Sequence, residues 1–222
     1  MDYQLLLLAH LLCFVFWLGS DVCVYYVSGF VVDAKQPVAA RLLAARVMLV
    51  IDMLPRTCLI LMLPFGLTLA AGSGWLPLTT AVLTAIWVLS IAWLVLAHAV
   101  FRLERRPLGQ TLHNIDFVWR LIVLALVIYV AVAGWFGSPM VQNAPWLIAK
   151  FGLFAAIIIC GLAIRLLLRP FGPLFGKVAM GQADEATEVA LRNSIARVKP
   201  VVWIIWTALL AAAFLGLAKP YW

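Results

Sequence analysis

Charge is scarce in this sequence: of 222 residues only 11% are charged, 66% are hydrophobic, and the mean hydropathy is +1.10. A domain surface so poor in charge cannot face water, which excludes a soluble globular fold and leaves a polytopic membrane protein. Acids are rarer than bases, 9 against 16, giving a net charge of +7. The basic residues gather at the ends of apolar runs, a membrane pattern, so no nucleic-acid partner is expected. Cysteine offers no framework either. Cys13, Cys23, Cys58 and Cys160 all lie in apolar runs without CxxC spacing, which argues against a disulfide scaffold or a zinc site and reads as reduced thiols. There is no nucleotide-binding glycine loop, no HExxH and no GxSxG elbow to point to a soluble-type enzyme. The start of the chain lacks a basic n-region and its apolar run has no small-residue cleavage site, so that run is expected to be retained.

What the sequence has in abundance is hydrophobic length. The run Tyr3–Val32 exceeds the ~20 apolar residues that cross a bilayer. Similar runs follow, and the expected fold is all-α: a single integral membrane domain over residues 1–222, a bundle of six transmembrane helices. The spans fall at about 3–32, 41–71, 79–103, 115–136, 146–168 and 201–217. In the second span a mid-helix proline removes a hydrogen bond, and a kink is expected around Pro55, where Asp52 and Arg56 project. Between spans five and six lies the most polar stretch, Phe171 to Lys199. There Asp184 can cap a helix at about 184–198, with Glu185 and Glu188 in its first turn and Arg197 at its end, an order that suits the helix dipole. Leu191, Ile195 and Val198 share one face, so this is expected to be an amphipathic helix on the cytoplasmic side.

Orientation follows from the basic residues. Lys35, Arg41, Arg46, Arg102, Arg105, Arg106, Arg165, Arg169, Lys177, Arg192, Arg197 and Lys199 belong to the first, third and fifth connections and the adjoining helix ends; the second and fourth connections have none. This places both termini on the non-cytoplasmic side of a bacterial inner membrane, with Trp75, Trp135, Trp146 and Trp222 at the outer boundary as an aromatic belt. A weak repeat is also visible: RLERRP at 102–107 and RLLLRP at 165–170 each close a span that opens near a Trp-Leu pair, and Arg56 and Arg120 sit alike in the helices before them. Either spans two and three are duplicated as four and five, or membrane helices simply tend to end in basic residues and proline.

Ionisable groups inside apolar runs cost several kcal/mol unless they face a protein interior or a cofactor. His10 and Asp21 are such groups. Counting about 1.5 Å per residue, His10 lies about two turns below the outer edge of span one and Lys150 about one turn below that of span five, which are compatible depths. His98 is roughly 18 Å deeper, so one iron cannot take both histidines as axial ligands. Asp21, Asp52, Arg120 and His98 share the inner half, with Arg56 nearer the middle. Two accounts of this group stand side by side. The acids and arginines tie helices together, or the arginines compensate a cofactor's anionic groups while Asp21, Asp52 and His98 relay protons. His10 is either a core imidazole bonded to a helix carbonyl or a ligand of haem or copper. Lys150 either snorkels to the headgroups or serves the same cavity. A separate inner metal site, held by His98 and His113 across one hairpin, is also geometrically allowed.

Two stretches resemble a known family. His10, Trp17 and Gly19 form H-x6-W-x-G, and 146–150 reads WLIAK. These are similar to the opening helix of the HemJ-type protoporphyrinogen oxidases and CopD-type copper-resistance membrane proteins, and to the lysine-bearing helix of the HemJ type. Pro64 to Leu67, PFGL, resembles the close of that family's second helix. The family's YLPRLFVYH continuation is absent, Ser20-Asp21-Val22-Cys23 standing there instead, and its four spans differ from six. The resemblance implies a haem b site near the outer face, with His10 as axial ligand, Trp17 beside it, Lys150 as a functional residue, and Arg56 and Arg120 balancing negative charge. The implied role is redox: oxidation of a porphyrin- or quinol-type substrate, or electron transfer. The alternatives are a copper-handling permease using His10, Cys13 and methionines, or a non-catalytic subunit of a membrane complex. Met48, Met53 and Met62 share a span but no sharp face, which weakens the copper reading. Expected partners are the lipid bilayer, such a substrate, and a second copy or a membrane-complex subunit.

Overall fold

A computed structural model describes residues 2–103, 106–137, 141 and 144–220. Arg105, Tyr221 and Trp222 lie outside the described residues. The chain forms α1 (Tyr3–Val31), α2 (Val38–Ile51), α3 (Met53–Gly72), α4 (Thr80–Leu103), α5 (Pro107–Trp135), α6 (Pro145–Leu167), α7 (Phe171–Ala179) and α8 (Glu185–Ala218). Among the described residues, six segments are long and apolar enough to cross a membrane, α2 and α3 together forming the second. The protein is thus a multi-pass membrane protein. Its outer surface agrees: Phe16, Val95 and Leu126 are 55%, 65% and 60% exposed, positions that only lipid would tolerate in such number.

The second span breaks where the sequence predicts. Pro55 has no N–H to offer Ile51, and its ring opposes that carbonyl, so the helix stops at Ile51 and restarts at Met53. Asp52 stands at the joint, its backbone N–H bonded to Met48 O at 2.9 Å. Two boundaries differ from expectation. The fourth span begins at Pro107, eight residues earlier than expected, because proline at the first helical position costs no hydrogen bond. The expected surface helix at 184–198 and the span at 201–217 are one continuous helix of 34 residues. At about 1.5 Å per residue it is longer than the hydrocarbon core is thick, so its polar first turns project beyond the bilayer. The Asp184 cap is as expected: hydrogen bonds from Thr187, including its backbone N–H at 2.8 Å, hold the Asp184 carboxyl below the usual carboxylate range.

The spans pack as a ring in chain order: α1 on α3, α3 on α4, α4 on α5, α5 on α6, α6 on α8, and α8 back on α1. That last seam is sealed by Tyr25 against Trp203 and Trp206, with the Lys199 ammonium 5.1 Å from the Tyr25 ring centroid. At the end where α7 lies, Val178 of α7 packs against Val32, Leu191 and Ile195, with Phe171, Leu174 and Phe175 around them. Arg41, only 2% exposed, locks this end: its Nε donates to Val31 O at 3.0 Å and its two terminal nitrogens grip Glu188 at 2.8 Å each. Trp135 is 77% exposed, as a belt residue would be. Trp146 is not. It is buried against Trp75, ring centroids 5.7 Å apart, because it faces the bundle and not the lipid.

Candidate functional site

The ring encloses two layers of polar side chains separated by an apolar one. In the first layer His10 of α1 and Lys150 of α6 come close enough to interact electrostatically, although α1 and α6 do not pack directly. Each lies against a glycine. A Cβ at Gly66 of α3 would stand 3.2 Å from His10 Cε1, and one at Gly216 of α8 would stand 2.9 Å from Lys150 Nζ. Any larger residue at either place would push the polar group aside. His10 Nδ1 is buried and has no partner, so the carbonyl-bonded account of His10 does not describe it. The Lys150 side chain runs toward the Trp146 end of α6, its Nζ 5.9 Å from the Trp146 ring centroid.

Beneath His10 the lining is apolar. Cys13 is one helical turn on, buried, with its thiol facing that of Cys58 on α3. Trp17, 3% exposed, follows on the same face, its indole beside the Asp21 carboxyl. H-x6-W thus places His10 and Trp17 two turns apart along one inward stripe, as a 3.6-residue period requires.

The second layer is charged. Asp21 lies near Asp52, and Asp52 is paired with Arg56 one turn later. Across the ring, Asp116 is 1% exposed and accepts three hydrogen bonds: from Trp93 Nε1 at 3.0 Å, Arg120 Nε at 2.9 Å and Arg165 Nη2 at 2.9 Å. Arg120 also stacks over Trp93, 5.4 Å from its centroid. Arg56 is near enough to Arg165 for the two charges to repel. His98 stands apart with Nδ1 3.0 Å from Leu94 O, the arrangement of an ordinary helix histidine. Of the expected group, Asp21 lies near Asp52, while Arg56 pairs with Asp52 and Arg120 with Asp116, each within its own span.

Asp116 and Arg165 are the residues that sequence reasoning missed. A signal existed for the first. The spacing D-x3-R occurs twice, Asp52–Arg56 and Asp116–Arg120, and both pairs close as i,i+4 bridges. Arg165 gave no such sign, since a basic residue late in a span reads as a boundary marker. Among the described residues, no three His, Cys, Asp or Glu side chains gather into a group able to hold a metal ion.

Fold and site define a class: a six-span helical membrane protein with an imidazole–lysine layer and an arginine–aspartate layer inside its ring. No protein-family model matches the chain, and no curated protein and no solved structure matches it.

Proposed function

We propose that this is a haem-binding membrane protein with a redox role, related to the HemJ and CopD types, in a bacterial inner membrane with both termini outside the cytoplasm. The observation that carries the reading is His10: an imidazole with a buried, unpartnered Nδ1, set on a glycine wall in the hydrocarbon. A polar atom left so costs about 1–3 kcal/mol unless something else engages the ring. Haem fits these residues better than a bare ion. His10 would be the one side chain needed to hold it, which suits a site with a single imidazole and, among the described residues, no three-ligand cluster. Bound haem would supply one-electron chemistry to a porphyrin- or quinol-type substrate or a redox partner.

The chain's own residues have distinct parts in this reading. His10 is the ligand, Trp17 packs two turns below it on the same face of α1, and Lys150 lies within electrostatic reach of His10. Asp21, with Asp52 beside it, is the group placed to hold and pass a proton. Arg56 and Arg120 act through their charge, their strongest contacts already spent on Asp52 and Asp116. For the inner layer alone, a purely structural reading is favoured by the saturation of Asp116 with three donors. The test is haem content and absorption spectrum of purified wild type and His10→Ala. Wild type is expected to show a Soret band that the variant loses; a folded wild type without haem, expressed with ample haem supply, refutes the reading.

A further inference from the structure

Charge is distributed unevenly between the two layers. The nine acids of the chain are Asp2, Asp21, Asp33, Asp52, Glu104, Asp116, Asp184, Glu185 and Glu188. Glu104 lies outside the described residues, seven belong to the inner half or to the connections at that end, and Asp2 is exposed and caps α1 by accepting from Gln4 N at 3.3 Å. The outer layer nevertheless holds two lysines. Lys150 Nζ and Lys219 Nζ each lie 5.9 Å from the Trp146 ring centroid, and their charges repel. Neither has a carboxylate partner among the described residues. Trp146 Nε1 and His10 Nδ1 are buried with no partner either.

Two features hold this arrangement in place. Lys219 is the C-cap of α8 and has φ 43, the left-handed conformation that a lysine enters only at a cost, and the sole non-glycine residue with positive φ among those described. Gly216, one turn earlier, leaves the space that the Lys150 ammonium occupies. The result is a set of donors, two of them cationic, with no side-chain acceptor between them among the described residues, at the mouth of the ring.

We propose that the outer mouth of the bundle is a carboxylate-binding site, in which Lys150, Lys219 and the Trp146 indole N–H hold an anion presented from the non-cytoplasmic side. A carboxylate supplies two acceptor oxygens and the missing negative charge, and charge-assisted bonds of this kind are about twice as strong as neutral ones. The carboxylate is either a propionate of a porphyrin, which rests on the haem reading, or that of a small free acid, which does not. In the first case the anchors are the two lysines and not Arg56 and Arg120, whose bonds Asp52 and Asp116 already take.

The test uses the full chain in lipid nanodiscs. Free-base protoporphyrin and its dimethyl ester are titrated and followed by tryptophan quenching, and succinate is added separately at constant ionic strength. Wild type is expected to prefer the diacid by about ten-fold, and a Lys150→Gln, Lys219→Gln double variant to bind both forms at the ester's affinity. Lys219→Gln alone, at an exposed position, should lower the preference about three-fold and serves if the double variant does not fold. If neither porphyrin binds, a porphyrin propionate is excluded as the occupant, the haem reading being decided by the His10→Ala spectra, and the site stands on succinate changing tryptophan emission in wild type and not in Lys219→Gln. The site is refuted if diacid and ester bind wild type alike and succinate has no effect. It is also refuted if the folded lysine variants keep the wild-type response.

Discussion

Replacing Asp116 by Asn removes one negative charge from the best-connected point of the interior. The carboxylate is 1% exposed and holds Arg120 and Arg165 at 2.9 Å each, on two different helices, and Trp93 of a third at 3.0 Å. With the charge gone, two guanidinium groups remain close together, with Arg56 near Arg165 and no other salt-bridge partner for either among the described residues. Removing one partner of a buried ion pair costs about 3–5 kcal/mol, most of it from the stranded charge. In a membrane the unfolded helices find other partners, which draws the figure toward the lower end. For a chain of this size each kcal/mol moves the midpoint by about 2–4 °C, so a thermal midpoint lower by roughly 6–20 °C is expected. The assay is thermal unfolding in one detergent of wild type, Asp116→Asn, Arg165→Gln and the double variant. The double variant should be less damaged than the sum of the singles by at least about 1 kcal/mol, because each change removes the same contact. Additive losses, or an Asp116→Asn loss under about 1 kcal/mol, would show that α4, α5 and α6 are held together by packing alone.

Arg41→Lys keeps the charge but not the two-pronged grip on Glu188, and it should destabilise by about 1–3 kcal/mol, with proteolysis appearing first around α7; equal midpoints would contradict the clamp. Gly134→Leu should be severe, since even a Cβ there would lie 2.9 Å from Ile148 Cγ1 across the α5–α6 contact, and unaltered yield and midpoint would speak against that close approach. Cysteines placed at Ser73 and Gln182 should react with impermeant thiol reagents from opposite sides, Ser73 from the non-cytoplasmic side, and labelling of both from one side would overturn the topology. The Asp184 carboxyl titrates lower folded than unfolded, so its contribution is complete above the unfolded carboxylate range near pH 3.9 and is lost as pH falls through the folded value. The protection factor of the Thr187 amide, its exchange rate relative to an unstructured amide at the same pH, should accordingly fall in acid and stay constant between about pH 5 and 8; a loss of protection within that window would contradict the cap.

The sequence alone determined the spans and their number, because hydrophobic length and the cost of an unpaired backbone in lipid are local properties. It determined the break at Asp52, since Pro55 cannot donate to the preceding turn, and it placed His10 and Lys150 at one depth by counting residues. Direction around each helix axis was another matter. That Arg165 reaches Asp116, 49 residues away, depends on how α5 and α6 are rotated against one another, and no window of sequence contains that angle. Trp146 carries the same ambiguity: an indole near a helix end suits the lipid boundary or the bundle wall, and packing against Trp75 decides for the wall. Pro200 marks the same limit in α8. The sequence reads as two helices on either side of it, at 184–198 and 201–217, yet one helix runs through to Ala218, packed on α7, α6 and α1. Depth is written along the chain one residue at a time, whereas partnership is fixed only when the ring closes and each helix has two neighbours to satisfy.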